Sequence, residues 1–171
     1  VRPDWDDRYM RLIMGEPLTW SSIPGKEGGA ACLLVSPDNR ELSIGYAGLP
    51  RDANPGLVSL CGEDPRFRDI YCRHAERNAL SNAARDVAGW TAYVTAPPCL
   101  QCAIELHARR IARVVSSPLR PGSRWKGECD EARAFLILHD VECETWDPRR
   151  PCGAGSSEAS PPSMFGATYT G

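Results

Sequence analysis

The stretch CRHAERNALSNAARDVAGWTAYVTAPPCLQCAIELHARR, residues 72–110, carries the decision about the fold. Cys72 to Val87 is rich in Ala, Leu, Arg and Glu, all good helix formers, and Gly89 ends the run. Thr91 to Thr95 is a short apolar segment that reads as a buried strand. Pro97-Pro98 then opens a second helix, Cys99 to Arg110, with proline where a helix start tolerates it. The alternation continues toward the C-terminus. Ala112 to Ser116 reads as a strand and Ser117 to Lys126 as a basic, proline-containing loop. Glu128 to His139 follows as a helix with Ala132, Phe135, Leu136 and Leu138 on its apolar side, and Val141 to Trp146 as a last strand. Toward the N-terminus, Ala30 to Val35 and Glu41 to Tyr46 read as a hairpin joined through Ser36-Pro37-Asp38-Asn39. Trp5 to Met14 has apolar residues at Trp5, Tyr9, Leu12 and Ile13, a helical rhythm, with Asp4 as N-cap and Pro17 as its stop. Gly48 to Ile70, with Pro50, Pro55 and Pro65, reads as a long polar loop. Strands alternating with helices imply a three-layer α/β/α domain on a mixed five-stranded sheet.

Residues 1–147 are expected to form that domain, and 148–171 a Gly/Pro/Ser-rich, flexible C-terminal tail with Phe165 and Tyr169 as its anchors. The length, 171 residues, suits one α/β domain with a core of its own. At 42% hydrophobic and 25% charged residues the chain is globular in composition. Lys plus Arg is 20 and Asp plus Glu is 22, a net charge of -2, which argues against a protein that coats nucleic acid. No apolar run approaches the ~20 residues of a membrane span. Val1-Arg2-Pro3-Asp4-Trp5 lacks the apolar stretch of a secretory signal, so a cytoplasmic protein is expected. In that setting the 8 cysteines read as free thiols or metal ligands and not as a disulfide framework. Cys32 lies in an apolar run and reads as core, as does Cys143.

Two short motifs carry chemistry: His74-Ala75-Glu76 and Pro98-Cys99-Leu100-Gln101-Cys102. Each opens a helix. One imidazole and two thiolates are ligands that zinc favours, and three protein ligands leave a fourth place for water. Cysteines at i and i+3 on a first helical turn can point both sulfurs one way, and the helix N-terminus lowers thiol pKa. Glu76, two residues past His74, is then free to act as an acid and base. The bland alternatives are a surface histidine beside a redox Cys pair, or a structural zinc with Cys72 as fourth ligand. The second leaves Glu76 without a role. His107 and His139 read as helix-surface residues.

H-x-E followed by P-C-x-x-C is the signature of the zinc nucleobase deaminases. Within that superfamily the chain resembles the deoxycytidylate (dCMP) deaminases, over about Trp5 to Trp146. The likeness runs through Trp5-Asp6-Asp7-Arg8-Tyr9-Met10, Gly29-Ala30, Gly45-Tyr46-Ala47-Gly48-Leu49-Pro50-Arg51, His74-Ala75-Glu76-Arg77-Asn78-Ala79-Leu80, Tyr93-Val94-Thr95 and Pro98-Cys99-Leu100-Gln101-Cys102-Ala103. The resemblance implies a cytidine-deaminase-like fold, zinc on His74, Cys99 and Cys102, and Glu76 as the proton shuttle. It departs at Ala47, where the family's G-Y-N-G has asparagine, and at Gly25 or Lys26, where an asparagine often stands. A site that loses amides on the nucleotide side is re-tuned for its substrate.

The expected activity is hydrolytic deamination of a cytosine deoxynucleotide, dCMP or a 5-substituted dCMP, to the corresponding dUMP with release of ammonia. Ala75, Lys26, Ala47 and Arg51 are the expected substrate contacts, with the Arg120, Arg124 and Lys126 loop as further phosphate contacts. The alternatives are a deaminase of tRNA or single-stranded DNA, a deaminase of another free nucleobase compound, and a non-enzymatic binding module. By the resemblance a homo-oligomer is expected, as a hexamer, with dCTP and dTTP as effectors, and with neither membrane nor nucleic acid as partner.

Overall fold

Five short strands form one mixed sheet in the order β2-β1-β3-β4-β5. They are β1 (Ala31–Val35), β2 (Leu42–Tyr46), β3 (Thr91–Val94), β4 (Arg113–Ser116) and β5 (Glu142–Thr145). The structure is a computed structural model and describes residues 4–15, 29–50 and 52–149. β1 pairs antiparallel with both β2 and β3, and β3–β4 and β4–β5 are parallel. The β1–β2 hairpin turns where the sequence has Ser36-Pro37-Asp38-Asn39. Ser36 Oγ accepts from the Arg40 and Glu41 backbone at 3.2 and 2.9 Å, and Asn39 takes φ 59°, a conformation asparagine tolerates.

Helices cover both faces, so the expected three layers are present. On one face lies α1 (Trp5–Gly15), which buries Tyr9, Met10 and Ile13 against Leu33, Val35, Tyr93 and Val115. Asp4 caps it, its Oδ1 accepting from the Asp7 N–H at 2.7 Å. On the other face lie α4 (Ala75–Asn82), α5 (Leu100–Ala108) and α6 (Lys126–Leu138). Their Ala79, Leu80, Ala103, Leu106, Ala132 and Leu136 close over Leu34, Ala92, Val94 and Val114. β1 and β3 alternate their side chains between the two cores, as a pleated strand must.

Two expectations are corrected. Gly48 to Ile70 is no structureless loop: it holds α2 (Pro55–Glu63) and α3 (Pro65–Tyr71). Each has proline in its first turn and a capping carbonyl or carboxylate ahead of it. Asn54 Oδ1 accepts from Gly56 at 2.8 Å and Asp64 Oδ1 from Arg66 at 2.9 Å. Asn-Pro and Asp-Pro are helix-start signals here, not breakers. The helix expected over Cys72 to Val87 is also shorter. Arg73 is extended and pairs with Gly48, and Ala83 leaves the helix at φ -65° and ψ 126°, after which the chain turns to bury Val87 and Trp90. Lys26, Arg51 and the tail from residue 150 onward, with Phe165 and Tyr169, lie outside the described residues. Among the described residues no helix is long and apolar enough to cross a membrane.

Candidate active site

The site is built where α4 and α5 begin, side by side at one edge of the helical layer. α4 is stitched to β2 along its length. Ser43 Oγ donates to the Ala79 carbonyl at 2.7 Å, Asn78 Nδ2 to the Tyr46 carbonyl at 2.7 Å and Asn82 Nδ2 to the Ile44 carbonyl at 2.9 Å. The Gly48 and Arg73 backbones exchange hydrogen bonds at 3.1 and 2.8 Å. The Gly45-Tyr46-Ala47-Gly48 segment is thereby fixed beside the entry to α4. α5 follows directly from β3, and Thr95 ties that junction: its Oγ1 accepts from Ala31 at 3.0 Å and its carbonyl from Ser117 Oγ.

His74 and Cys99 occupy the N-cap positions of α4 and α5, both with extended backbone and neither with a side-chain capping bond. An N-cap residue ordinarily spends its side chain on the helix. Here both side chains turn to each other instead. His74 Nδ1 lies 3.4 Å from Cys99 Sγ and 3.3 Å from Cys102 Sγ. The three donor atoms lie within 4.8 Å of one another, and these residues form the one such group of three among the described residues. With Zn–S of about 2.3 Å and Zn–N of about 2.0–2.1 Å, a zinc tetrahedron has N–S edges of roughly 3.6 Å, so the donors stand at a spacing zinc can use. Cys72 is outside the group and packs beside Leu49 and Cys61, so the four-ligand structural alternative is not assembled.

The three donors are electrostatically coupled, and Cys99 is the one biased toward the form a metal takes. The Cys102 and His74 hydrogen bonds hold the Cys99 thiol down at about 4, and that thiolate in turn pushes the His74 and Cys102 groups up. A thiolate is therefore already present at neutral pH, which is the form a metal takes. Glu76, in the first turn of α4, is buried, and burial raises its carboxyl pKa. Cys102 hydrogen-bonds its carboxyl group. A carboxyl group held in a dry place beside the donor set is placed to exchange a proton with a group bound there.

Of the other expected site residues, Ala75 is buried in the first turn of α4, between His74 and Glu76. Ala47 is half-buried, with its N–H donated to the Ala30 carbonyl at 2.8 Å. The basic loop does not act as one group. Arg124 lies over the Trp125 ring and 3.7 Å from Asp69, while Arg120 and Lys126, the latter paired with Asp130, line a cavity of about 460 Å³ between α6 and the strand ends. The sequence reading passed over Asn78 and Thr95, whose polar atoms hold α4 and the β3–α5 junction. Asn78 stands inside the quoted His74-to-Leu80 motif and could have been found there.

A family model described as the cytidine and deoxycytidylate deaminase zinc-binding region matches residues 3–117. The chain belongs to that family. The matched span includes His74, Glu76, Cys99 and Cys102, so the zinc expected from the sequence agrees with both the family and the donor geometry. Among its relatives, a deoxycytidylate deaminase of Mycobacterium phage D29 is 32% identical over 127 residues, 67% of this chain and 94% of that one. A deoxycytidylate deaminase of Saccharomyces cerevisiae is 32% identical over 124 residues, 68% of this chain and 38% of that one. The alignments thus span less than two fifths of the yeast and Schizosaccharomyces pombe proteins, 38% and 37%. The crystal structure of the cyanophage S-TIM5 dCMP deaminase in complex with dCMP and dUMP superposes with a TM-score of 0.59 at 16% identity, covering 85% of this family member and 99% of that chain. The deaminase fold is therefore common to both.

Proposed function

We propose that the protein is a zinc-dependent hydrolase that deaminates a cytosine deoxynucleotide, dCMP or a 5-substituted dCMP, to the corresponding dUMP and ammonia. The observation that carries this is the meeting of His74 Nδ1, Cys99 Sγ and Cys102 Sγ beside the buried Glu76 carboxyl group. His74, Cys99 and Cys102 hold the metal. Zinc, when bound, supplies a nucleophile at neutral pH by lowering the pKa of its water to about 7. Glu76 takes the proton that the attacking water loses and passes it to N3 of the ring as oxygen adds to C4. It then carries the second proton, from the new C4 hydroxyl, to the exocyclic nitrogen, the C4–N4 bond breaks, the C4 carbonyl forms and ammonia leaves. Burial serves this cycle, because it raises the Glu76 carboxyl pKa and makes the group a better proton acceptor. The Ala75 backbone, at the open start of α4, offers a donor for the base edge.

Ala47 bears on the substrate. It presents a methyl group where the resembled motif has an amide, so the nucleotide is held with fewer side-chain hydrogen bonds there, and Lys26 and Arg51 supply phosphate contacts. The same reading includes a homo-oligomer, a hexamer by resemblance, with dCTP and dTTP as effectors. The test is ammonia release by the zinc-loaded protein from dCMP, 5-methyl-dCMP, 5-hydroxymethyl-dCMP, CMP, dCTP and deoxycytidine, with tRNA and single-stranded DNA alongside. Turnover of dCMP or a 5-substituted dCMP above the others is the expected result. Preference for a polymer, or silence on every cytosine nucleotide, overturns it.

A further inference from the structure

Arg77 and Ser81 stand four residues apart on α4, with Arg73 ahead of the helix on extended backbone, and Glu105 and Arg109 stand four apart at the end of α5. Such spacing puts each pair on one side of its helix. Together with Arg73 the two pairs line a cavity of about 280 Å³, completed by Leu80. It is separate from the metal donors, since Arg77 stands about one turn beyond His74 and Glu105 about one turn beyond Cys102.

Its charge is not balanced. Three guanidinium groups face one carboxylate, and that carboxylate is held loosely: Arg77 Nη2 donates to Glu105 Oε1 at 3.3 Å. Arg73 Nη2 donates to neutral acceptors, Ser81 Oγ at 2.8 Å and the Arg77 carbonyl at 3.4 Å. Arg109 meets no carboxylate among the described residues, and the Arg77 Nε–H is buried with no acceptor. Several arginines elsewhere are paired closely. Arg11, Arg85, Arg110 and Arg113 each hold a carboxylate oxygen at 2.9 Å or less. In a chain of net charge -2 the cleft thus gathers three guanidinium groups against one carboxylate.

We propose that this cleft binds a phosphate-class oxyanion. Guanidinium forks match the oxygens of phosphate in pairs, which a lone ammonium cannot do. The Arg109 fork supplies donors with no carboxylate partner, and the Arg73 and Arg77 guanidinium groups line the same cavity. Ser81 adds a hydroxyl hydrogen, because its oxygen accepts from Arg73 and its own proton remains to be given. The anion is free phosphate or the phosphate of a nucleotide, and the two are separated by titration.

The experiment is isothermal titration calorimetry on the zinc-loaded full chain at low salt, first with inorganic phosphate and then with dUMP. Wild type is compared with Arg73→Gln/Arg109→Gln and with the single Arg109→Gln. One phosphate per chain is expected for wild type, with affinity at least about tenfold weaker in the double variant and an intermediate loss in the single one. Circular dichroism melting checks that the variants fold. An equal loss for dUMP assigns a nucleotide phosphate to the cleft, and a loss confined to inorganic phosphate assigns the free anion. Phosphate affinity equal in wild type and variants, or no binding by wild type, overturns the proposal. No turnover is read, so failure here and failure of the deaminase reading are distinguishable.

Discussion

Cys99 accepts the hydrogen bonds of both its neighbours, and that makes it the donor most committed to a metal. A serine there offers a hard, protonated oxygen in place of a soft thiolate. Cys99→Ser is expected to weaken zinc binding by more than about 100-fold, read by competition with a chromogenic chelator. An unchanged zinc affinity would remove Cys99 from the ligand set. These donors were legible in the sequence because their spacing is local: Cys99 and Cys102 share one helical turn, and His74 sits two residues from Glu76. The substrate side was less legible. Ala47 could be marked by what it lacks, but Asn78 and Thr95 act through backbone groups more than thirty residues away, on Tyr46 and Ala31. Such long-range bonds leave no local spacing to read. The arginines of the α4–α5 cleft were hidden for the same reason, since the two helices that bring them together lie on either side of a strand.

At the scale of the element, α4 depends on how closely β2 approaches it. A Cβ added at Gly45 would stand 2.1 Å from the Ala79 nitrogen and 2.3 Å from the Ala75 carbonyl oxygen, both backbone atoms that cannot swing aside. Gly45→Ala is expected to destabilise the protein by at least about 1–3 kcal/mol in urea unfolding, and to reduce turnover because α4 carries His74 and Glu76. A variant as stable as wild type would mean that the helix has room to slide. α1 is held differently. Asp6 accepts from Tyr93 Oη at 2.7 Å and from two Arg113 nitrogens at 2.8 and 2.7 Å, joining α1 to β3 and β4. Burial alone would raise the Asp6 carboxyl, and the Arg113 and Tyr93 hydrogen bonds outweigh it, so the pKa lies below the ordinary 3.8. A lowered carboxyl pKa gives stability that is present above the unfolded value and is lost as pH falls through the folded one. Asp6→Asn is expected to cost about 1–2 kcal/mol at pH 7, and the gap to wild type is expected to narrow as pH falls below the ordinary value. An equal gap at pH 7 and at pH 3 would contradict the ion pair. Secondary elements with clear periodicity, such as α1 and the hairpin strands, could be read from sequence. α2 and α3 could not, because Pro55 and Pro65 read as breaks in sequence while Asn54 and Asp64 make them starts.

At the scale of the whole molecule, the sheet order β2-β1-β3-β4-β5 sets the site, since it lays β3 beside β1 and lets α4 and α5 begin at the same edge. Layer count was legible from the alternation of strands and helices, while the antiparallel β1–β3 pairing joins segments more than fifty residues apart and was not. A metal held by His74 before α4 and by Cys99 and Cys102 at α5 ties two elements of one core together. Removing zinc with a chelator is expected to lower the melting temperature by about 5–10 °C, and re-adding zinc to restore it. A melting curve indifferent to the chelator would mean that the donors hold no metal in the folded chain. The most direct test of the central claim pairs two readings on Glu76→Gln: zinc content, and ammonia release from dCMP. The account predicts full zinc with turnover reduced by about 100- to 10,000-fold relative to wild type. Wild-type turnover in the zinc-loaded variant would contradict it.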